Sequence, residues 1–158
     1  APTSIIIADS SPLFRFGLKT ILEKDPRYVV LAEAESQVEL LEVLDSNKPD
    51  LLIMDCLATG FSIDTVVECA KAHRKAKMIA ITASQNGLTI VNCLRAGITS
   101  YIKKDCSMSE VLEAIEVTGE GGTFFLWSNS GCDSTGKHRC ERFGFNRSFM
   151  RTCCFNAT

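Results

Sequence analysis

The segment that most constrains the fold is a short unbroken apolar run, Leu51 to Met54, which ends abruptly in Asp55. Because a half-buried strand alternates apolar and polar residues, a run without alternation predicts a strand buried on both faces of a parallel sheet. A loop that contains Gly60 follows directly. Parallel sheets bind ligands at the carboxyl ends of their strands, so Asp55 is either a cap on a structural turn or the reactive group of a site.

Four further apolar runs alternate with stretches of helical spacing across residues 1–120. Alternation of strands and helices with short connections predicts parallel pairing and right-handed crossovers. We therefore predict an α/β fold, a doubly wound sheet of five strands with helices on both faces. The predicted strands are Ser4–Ala8, Tyr28–Ala32, Leu51–Met54, Met78–Ile81 and Tyr101–Ile102.

Local signals mark where the predicted helices begin. Ser11 followed by Pro12 is typical of an N-cap and the first helical position. Ser36 with Glu39 has the spacing of a capping box, in which two side chains satisfy each other's free backbone amides. Ser107 begins a second box of the same spacing.

The composition is that of one globular domain. The chain has 158 residues, is 46% hydrophobic and carries a formal net charge of −2. No apolar run approaches the roughly 18–20 residues of a membrane span. The first residues enter a strand-like segment with no signal-peptide core, so we predict a cytoplasmic protein.

Eight cysteines are present, and they divide into two groups by position. Those within the regular part have no metal-ligand spacing and are typical of small buried hydrophobic residues. Those near the carboxyl terminus include no CxxC pair, so their spacing does not favour zinc. The first group is Cys56, Cys69, Cys93 and Cys106, and the second is Cys132, Cys140, Cys153 and Cys154.

Four polar residues follow the ends of four predicted strands, namely Asp9, Asp55, Thr82 and Lys104. Because parallel strands deliver their carboxyl ends to one edge of the sheet, these side chains are expected to converge. The set suits phosphoryl transfer to a carboxylate. An aspartate can act as nucleophile and hold an acyl phosphate, while a lysine and a hydroxyl contact phosphate oxygens.

With these motifs in place, residues 1–120 resemble the receiver domain of two-component response regulators, most closely the NarL/LuxR-type subgroup. The resemblance implies a flavodoxin-like sheet with strand order 2-1-3-4-5 and a signalling role rather than an enzymatic one. The segments that carry it are Asp9-Ser10-Ser11-Pro12-Leu13-Phe14-Arg15, the Asp55 loop, Thr82-Ala83-Ser84 and Tyr101-Ile102-Lys103-Lys104-Asp105.

The resemblance also implies roles for individual residues. Asp55 would be the phosphoacceptor, Thr82 the hydroxyl that moves toward the phosphate, and Lys104 the phosphate-pairing lysine. Tyr101 would be the aromatic residue that changes rotamer on activation. The implied phosphoryl donor is a sensor histidine kinase or a small acyl phosphate, and the implied response is dimerisation through the fourth helix, fifth strand and fifth helix.

The resemblance implies a Mg²⁺ site formed by Asp9, Asp55 and the backbone carbonyl of Leu57. One departure from the family pattern bears on it, because the family usually has two adjacent acids after the first strand and the second position here is Ser10. At an effective dielectric of about 20, a charge pair 4 Å apart is worth roughly 4 kcal/mol, so even part of that loss weakens magnesium binding by a decade or more.

The Ser10 substitution leaves a second interpretation open, a phosphorylation-independent docking module. Enzymes of the same fold are less favoured. The segment from Asp9 to Pro12 lacks the Ser/Thr/Gly-rich phosphate cradle of a flavin carrier and the paired aspartates of an aspartate-dependent phosphatase.

We divide the chain into a receiver domain, residues 1–122, and an irregular tail, residues 123–158. The tail is predicted to be disordered or out of frame. Removal of one nucleotide from a permitted back-translation beginning at Leu126 gives a stop-free reading that resembles a helix, a linker and the opening of a helix-turn-helix domain. No such domain is recognisable in the chain itself, so direct DNA binding is not predicted.

Overall fold

A computed structural model describes residues 1–83, 86–132 and 138–142 of the protein. Five strands and five helices alternate along the first 119 residues. The strands are β1 (Thr3–Ala8), β2 (Tyr28–Ala34), β3 (Leu51–Met54), β4 (Lys77–Thr82) and β5 (Ser100–Lys103). The helices are α1 (Pro12–Leu22), α2 (Gln37–Ser46), α3 (Ile63–Ala72), α4 (Gly87–Ala96) and α5 (Met108–Gly119).

The unbroken apolar run forms the central strand of the sheet. All four residues of β3 are buried, and parallel pairing aligns Ile53 with Ile7 of β1 on one side and with Ile79 of β4 on the other. The sheet order is β2-β1-β3-β4-β5. The predicted doubly wound, flavodoxin-like topology is therefore confirmed.

Two apolar layers cover the sheet, one on each face. Leu18 of α1 and Ile115 of α5 pack into the first layer, whereas Leu40 of α2, Val66 of α3 and Cys93 of α4 pack into the second. This division places two helices on one face and three on the other. Because both faces are covered, the carboxyl-end edge of the sheet is left as the natural place for a site.

The predicted capping boxes differ in how completely they form. Ser107 accepts a hydrogen bond from the Glu110 amide, and the Glu110 carboxylate accepts one from the Ser107 amide, so this box is complete. Ser36 accepts from the Glu39 amide as predicted. The Glu39 carboxylate, however, accepts from the amide of Glu35 instead of Ser36, so the second half of this box forms one residue earlier.

The chain remains attached to the sheet beyond α5. Phe124 is buried in the first apolar layer. Its amide donates to the Ser100 hydroxyl at 2.9 Å, and its carbonyl accepts from the Tyr101 amide at 2.9 Å. These bonds occupy the outer edge of β5, which would otherwise expose unpaired backbone groups.

Two further strands, β6 (Leu126–Cys132) and β7 (His138–Arg142), pair antiparallel within the stretch that we expected to be irregular. Pairing between backbones does not require side chains to alternate between apolar and polar, so the sequence pattern did not predict these two strands. Residues 143–158 lie outside the described residues, and the domain boundary and the reading-frame hypothesis stay predictions.

Within the described residues, no helix is long and apolar enough to cross a membrane.

Gly97, which follows α4, provides a test of this packing. It has φ +130°, and a Cβ atom there would lie 2.8 Å from the Cβ of Ala70 and 3.1 Å from the Cε of Met78. We expect Gly97→Ala to lower the free energy of unfolding by about 1–3 kcal/mol, through backbone strain and overpacking. Urea unfolding followed by circular dichroism measures the change.

Gly17→Ala is the matched control. Gly17 lies within α1, and a Cβ atom there meets nothing within 4 Å. Since alanine favours a helix over glycine, this variant should be neutral or gain about 0.5–1 kcal/mol. Equal stability of the two variants would contradict the described contact between α4 and its neighbours.

Candidate functional site

Three strand ends bring two carboxylates and an amine together. Asp9 follows β1, Asp55 follows β3 and Lys104 follows β5. The Nζ of Lys104 lies 2.8 Å from Oδ2 of Asp9 and 2.9 Å from Oδ2 of Asp55. The two aspartates are 1% and 5% exposed. The structure thus joins three of the four residues that the sequence predicted to converge.

The Lys104 ammonium offsets the charge of the two buried carboxylates. Burial lowers the pKa of Lys104, but hydrogen bonds and charge interactions with Asp9 and Asp55 outweigh it, so the pKa is raised. Lys104 is therefore protonated at neutral pH. Its Nζ also lies 4.8 Å from the ring centre of Phe14, within the range of a cation–π contact.

Backbone amides orient the carboxylates. Oδ1 of Asp9 accepts a hydrogen bond from the Ser11 amide at 2.7 Å, and Oδ1 of Asp55 accepts one from the Leu57 amide at 3.0 Å. The Arg15 guanidinium donates to the backbone carbonyl of Asp9. With each Oδ1 fixed in this way, each Oδ2 is directed toward Lys104.

Sequence reasoning missed Phe14 and Arg15 as members of the site. Both lie in the first turns of α1, directly after Asp9. The signal that could have found them is the cap at Ser11, which accepts from the Phe14 amide and fixes where α1 begins relative to β1. The family resemblance includes Phe14 in its first segment but implies no role for it.

The donor set at this edge fits a hard cation that keeps part of its water shell. Oδ2 of Asp9 is buried, and its partner among the described residues is the Lys104 ammonium 2.8 Å away. Asp55 supplies a second carboxylate beside it. Mg²⁺ is commonly held by one or two carboxylates together with waters and phosphate oxygens. No group of three His, Cys, Asp or Glu side chains suited to a metal occurs in the described part of the chain.

Thr82 and Tyr101 form a second unit at the same edge. The hydroxyl groups of Thr82 and Tyr101 lie 2.5 Å apart, and both residues are buried. Burial raises the pKa of Tyr101 to about 12, although the hydrogen bond with Thr82 opposes it. The Tyr101 ring is buried, and its hydroxyl is protonated at neutral pH. The role of either residue in switching stays a prediction.

A family comparison identifies the domain. The model of the response regulator receiver domain matches residues 5–116. The chain belongs to this family. The region that matches includes β2 to β5, the greater part of β1 and all three members of the Asp9–Lys104–Asp55 cluster.

Curated relatives are transcriptional response regulators. The chain is 29% identical over 125 residues to the nitrate/nitrite response regulator NarP of Escherichia coli, covering 78% of this chain and 58% of that protein. It is 24% identical over 121 residues to the transcriptional regulatory protein DegU of Brevibacillus brevis, covering 76% and 51%. The chain therefore spans between about half and three fifths of the length of these relatives.

Solved structures share the fold. The receiver domain of RcsB from Salmonella enterica serovar Typhimurium, in the presence of the phosphomimetic BeF₃⁻, has a TM-score of 0.73 at 22% identity, covering 79% of this chain and 94% of that one. The receiver domain of a NarL regulator from Mycobacterium tuberculosis has a TM-score of 0.71 at 21% identity, covering 76% and 98%. Both have the topology predicted from the sequence.

Membership of the family carries general properties. Receiver domains pair with histidine kinases and generally bind Mg²⁺ at their acidic pocket, and response regulators are typically signalling proteins rather than enzymes. The comparisons give no support to the alternative of a phosphorylation-independent docking module. The NarL/LuxR-type resemblance drawn from the motifs is confirmed.

Tyr101→Phe tests the hydroxyl pair. At pH 8 the variant should lose about 1 kcal/mol of unfolding free energy, because it lacks the hydrogen bond to Thr82. The raised pKa of Tyr101 stabilises the native protein fully below the unfolded pKa of about 10, and this contribution falls as pH rises through about 12. The difference between the two proteins in urea unfolding should therefore shrink from pH 8 to pH 11. A difference that does not change with pH would mean that Tyr101 is not buried as described.

Proposed function

We propose that the chain accepts a phosphoryl group on Asp55 and thereby controls self-association in transcription regulation. The observation that carries the proposal is the pairing of a buried Asp55 carboxylate with the Lys104 ammonium at 2.9 Å. A carboxylate oriented by a backbone amide and placed beside a fixed cation is equipped to receive a phosphoryl group.

The proposed reaction is transfer from a phosphohistidine of a sensor kinase, or from a small acyl phosphate. An Asp55 oxygen forms a bond to phosphorus while the bond from phosphorus to the donor atom breaks. The product on this chain is an acyl phosphate, and the donor leaves either as a neutral imidazole, whose ring takes up a proton from water, or as the free carboxylate. Lys104 offsets the charge on the phosphoryl oxygens, as charge-assisted hydrogen bonds do.

Asp9, Asp55 and the backbone carbonyl of Leu57 would hold Mg²⁺ in this scheme. When bound, the ion supplies positive charge to the phosphoryl oxygens. Ser10, half-buried beside Asp9, brings no charge to the site. We therefore propose a magnesium site that functions but is weaker than one with two adjacent acids.

Thr82 and Tyr101 are proposed to transmit the effect of phosphorylation at Asp55 to the rest of the domain. The Thr82 hydroxyl is bonded to Tyr101, so its movement toward a phosphate on Asp55 would strain or break that bond. The Tyr101 ring would then shift relative to the apolar layer that it shares with α4. This is a two-state change driven by new phosphate contacts.

Self-association is proposed through α4, β5 and α5. Because Phe124 already bonds the outer edge of β5 through its backbone, a second copy could not add a strand there. The contact would instead be made by side chains of the two helices. Leu88, 69% exposed on α4, is one apolar residue available for it.

The edge of the sheet that carries the Asp9–Lys104–Asp55 cluster also offers a surface for the kinase. Leu13 and Phe16 of α1 are 81% and 68% exposed, and Met108 at the start of α5 is 41% exposed. Each lies on an element that begins beside the Asp9–Lys104–Asp55 cluster. We propose that the kinase covers these side chains when it docks beside the cluster.

Contact with DNA is proposed only through a C-terminal DNA-binding domain, of which this sequence carries no recognisable motif. A related solved structure shows two RcsB dimers bound to two parallel DNAs, and the receiver domain here would act on DNA indirectly in a comparable assembly. The cytoplasm, where kinases and acyl phosphates meet, is the proposed compartment.

Intact-protein mass spectrometry after incubation with acetyl phosphate tests the proposal. We expect a magnesium-dependent gain of one phosphoryl group, because Asp55 is the carboxylate held beside Lys104. Asp55→Asn should abolish the gain, whereas Asp105→Asn should preserve it, since Asp105 lies near the same edge but is 72% exposed. An adduct that survives Asp55→Asn, or none at any magnesium concentration, would overturn the proposal.

Ser10→Asp is the companion variant. It restores a carboxylate beside Asp9, and the added charge should lower the magnesium concentration for half-maximal phosphorylation by about tenfold or more. The phosphorylation rate measured across a magnesium titration gives this value. An unchanged midpoint would mean that Ser10 does not limit metal binding.

A further inference from the structure

Two cysteines that the sequence treated as separate core residues are in contact. The Sγ atoms of Cys56 and Cys93 lie 3.4 Å apart and share a hydrogen bond, although 37 positions separate them. Cys56 is 1% exposed and Cys93 is not exposed. The pair lies in the apolar layer between the sheet and helices α2 to α4.

The two cysteines lie on different elements of the fold, so a bond between them would restrict how these elements move. Cys56 directly follows Asp55, on the loop after β3, and Cys93 lies on α4. A bond between them would therefore join the loop that carries Asp55 to a helix on the covering layer. Cys69, also buried in that layer, has no such sulfur contact in the described part of the chain.

The geometry requires only a small movement for a bond to form. A disulfide has an S–S distance of about 2.05 Å, so the two sulfur atoms must approach by about 1.4 Å. Thiols already in van der Waals contact have no entropic cost of finding each other within the folded chain.

We propose that Cys56 and Cys93 form a reversible oxidation site, whose disulfide fastens α4 to the loop that carries Asp55. The oxidant is a peroxide. The sulfur of one cysteine attacks the O–O bond, takes one oxygen as a sulfenic acid and releases the other as water. The second thiol then displaces the sulfenic oxygen, so that the S–S bond forms and a second water leaves. Two thiols are oxidised, one peroxide becomes two waters, and a dithiol reverses the bond by exchange.

Burial determines which reagents reach the pair. Both sulfur atoms are covered by the apolar layer, so bulky thiol reagents require α4 to open, whereas hydrogen peroxide is little larger than water. Local opening of a helix has its own free energy below that of global unfolding. A covalent link to the loop should raise this opening free energy for α4. No step involves Asp55 chemistry, so the proposal stands apart from phosphorylation.

Peptide mapping of the full chain tests the site. The protein is treated with hydrogen peroxide, its remaining thiols are alkylated in denaturant, and it is cleaved after Lys, Arg and Glu. This cleavage places Cys56, Cys69 and Cys93 in three different peptides. We expect the Cys56 and Cys93 peptides to be recovered linked, less two hydrogen atoms, and to separate with dithiothreitol. Recovery of both as alkylated free thiols, under peroxide that oxidises the cysteines beyond residue 131, would overturn the proposal.

Hydrogen exchange measures the consequence for α4. Peroxide should slow amide exchange in α4 by about tenfold in the native chain and in Cys69→Ala, which removes a buried cysteine of the same layer, but not in Cys93→Ala. Cys56→Ala serves as the second variant should Cys93→Ala fail to fold. Equal slowing in all these proteins, or none in the native chain, would show that no disulfide fastens α4.

Discussion

The ion cluster of Asp9, Lys104 and Asp55 is the interaction on which the site depends. Two buried carboxylates at one edge of a sheet repel each other in a medium where charge is poorly screened, and the Lys104 ammonium between them offsets that repulsion. The parallel sheet makes the arrangement available, because it ends three strands at the same place. Backbone amides from Ser11 and Leu57 complete it by holding the other carboxylate oxygens.

The sheet and the cluster could be predicted from the sequence because both follow from strand ends. An apolar run such as Leu51–Met54 is stable only as a strand in the interior of the sheet. Asp55 then lies at the edge of the sheet, whichever way the helices pack. Contacts that depend on how helices sit could not be predicted. The Cys56–Cys93 pair requires the position of α4 against the loop that follows β3, which no local pattern specifies. The pairing of Phe124 with β5 could not be predicted for the same reason, because it forms only after α5 has returned the chain to the sheet.

One apolar layer connects the site to the face proposed for self-association. Tyr101, bonded to Thr82 at the edge, shares this layer with Cys56 and Cys93. Packed interiors transmit displacement because they contain few voids. A change at Asp55 and a change at the cysteine pair would therefore both act on α4, one through a hydrogen bond and the other through a covalent bond.

A double-mutant cycle on the ion cluster is the most direct test. Lys104→Met and Asp9→Asn are made singly and together, and the free energy of unfolding is measured with a metal chelator present. Lys104→Met should destabilise the protein, and Asp9→Asn should then restore stability in that background while having a neutral or unfavourable effect alone, with a coupling of about 1–3 kcal/mol. If Asp9→Asn has the same effect with and without Lys104, the two side chains do not share a cluster, and the proposed site loses its physical basis.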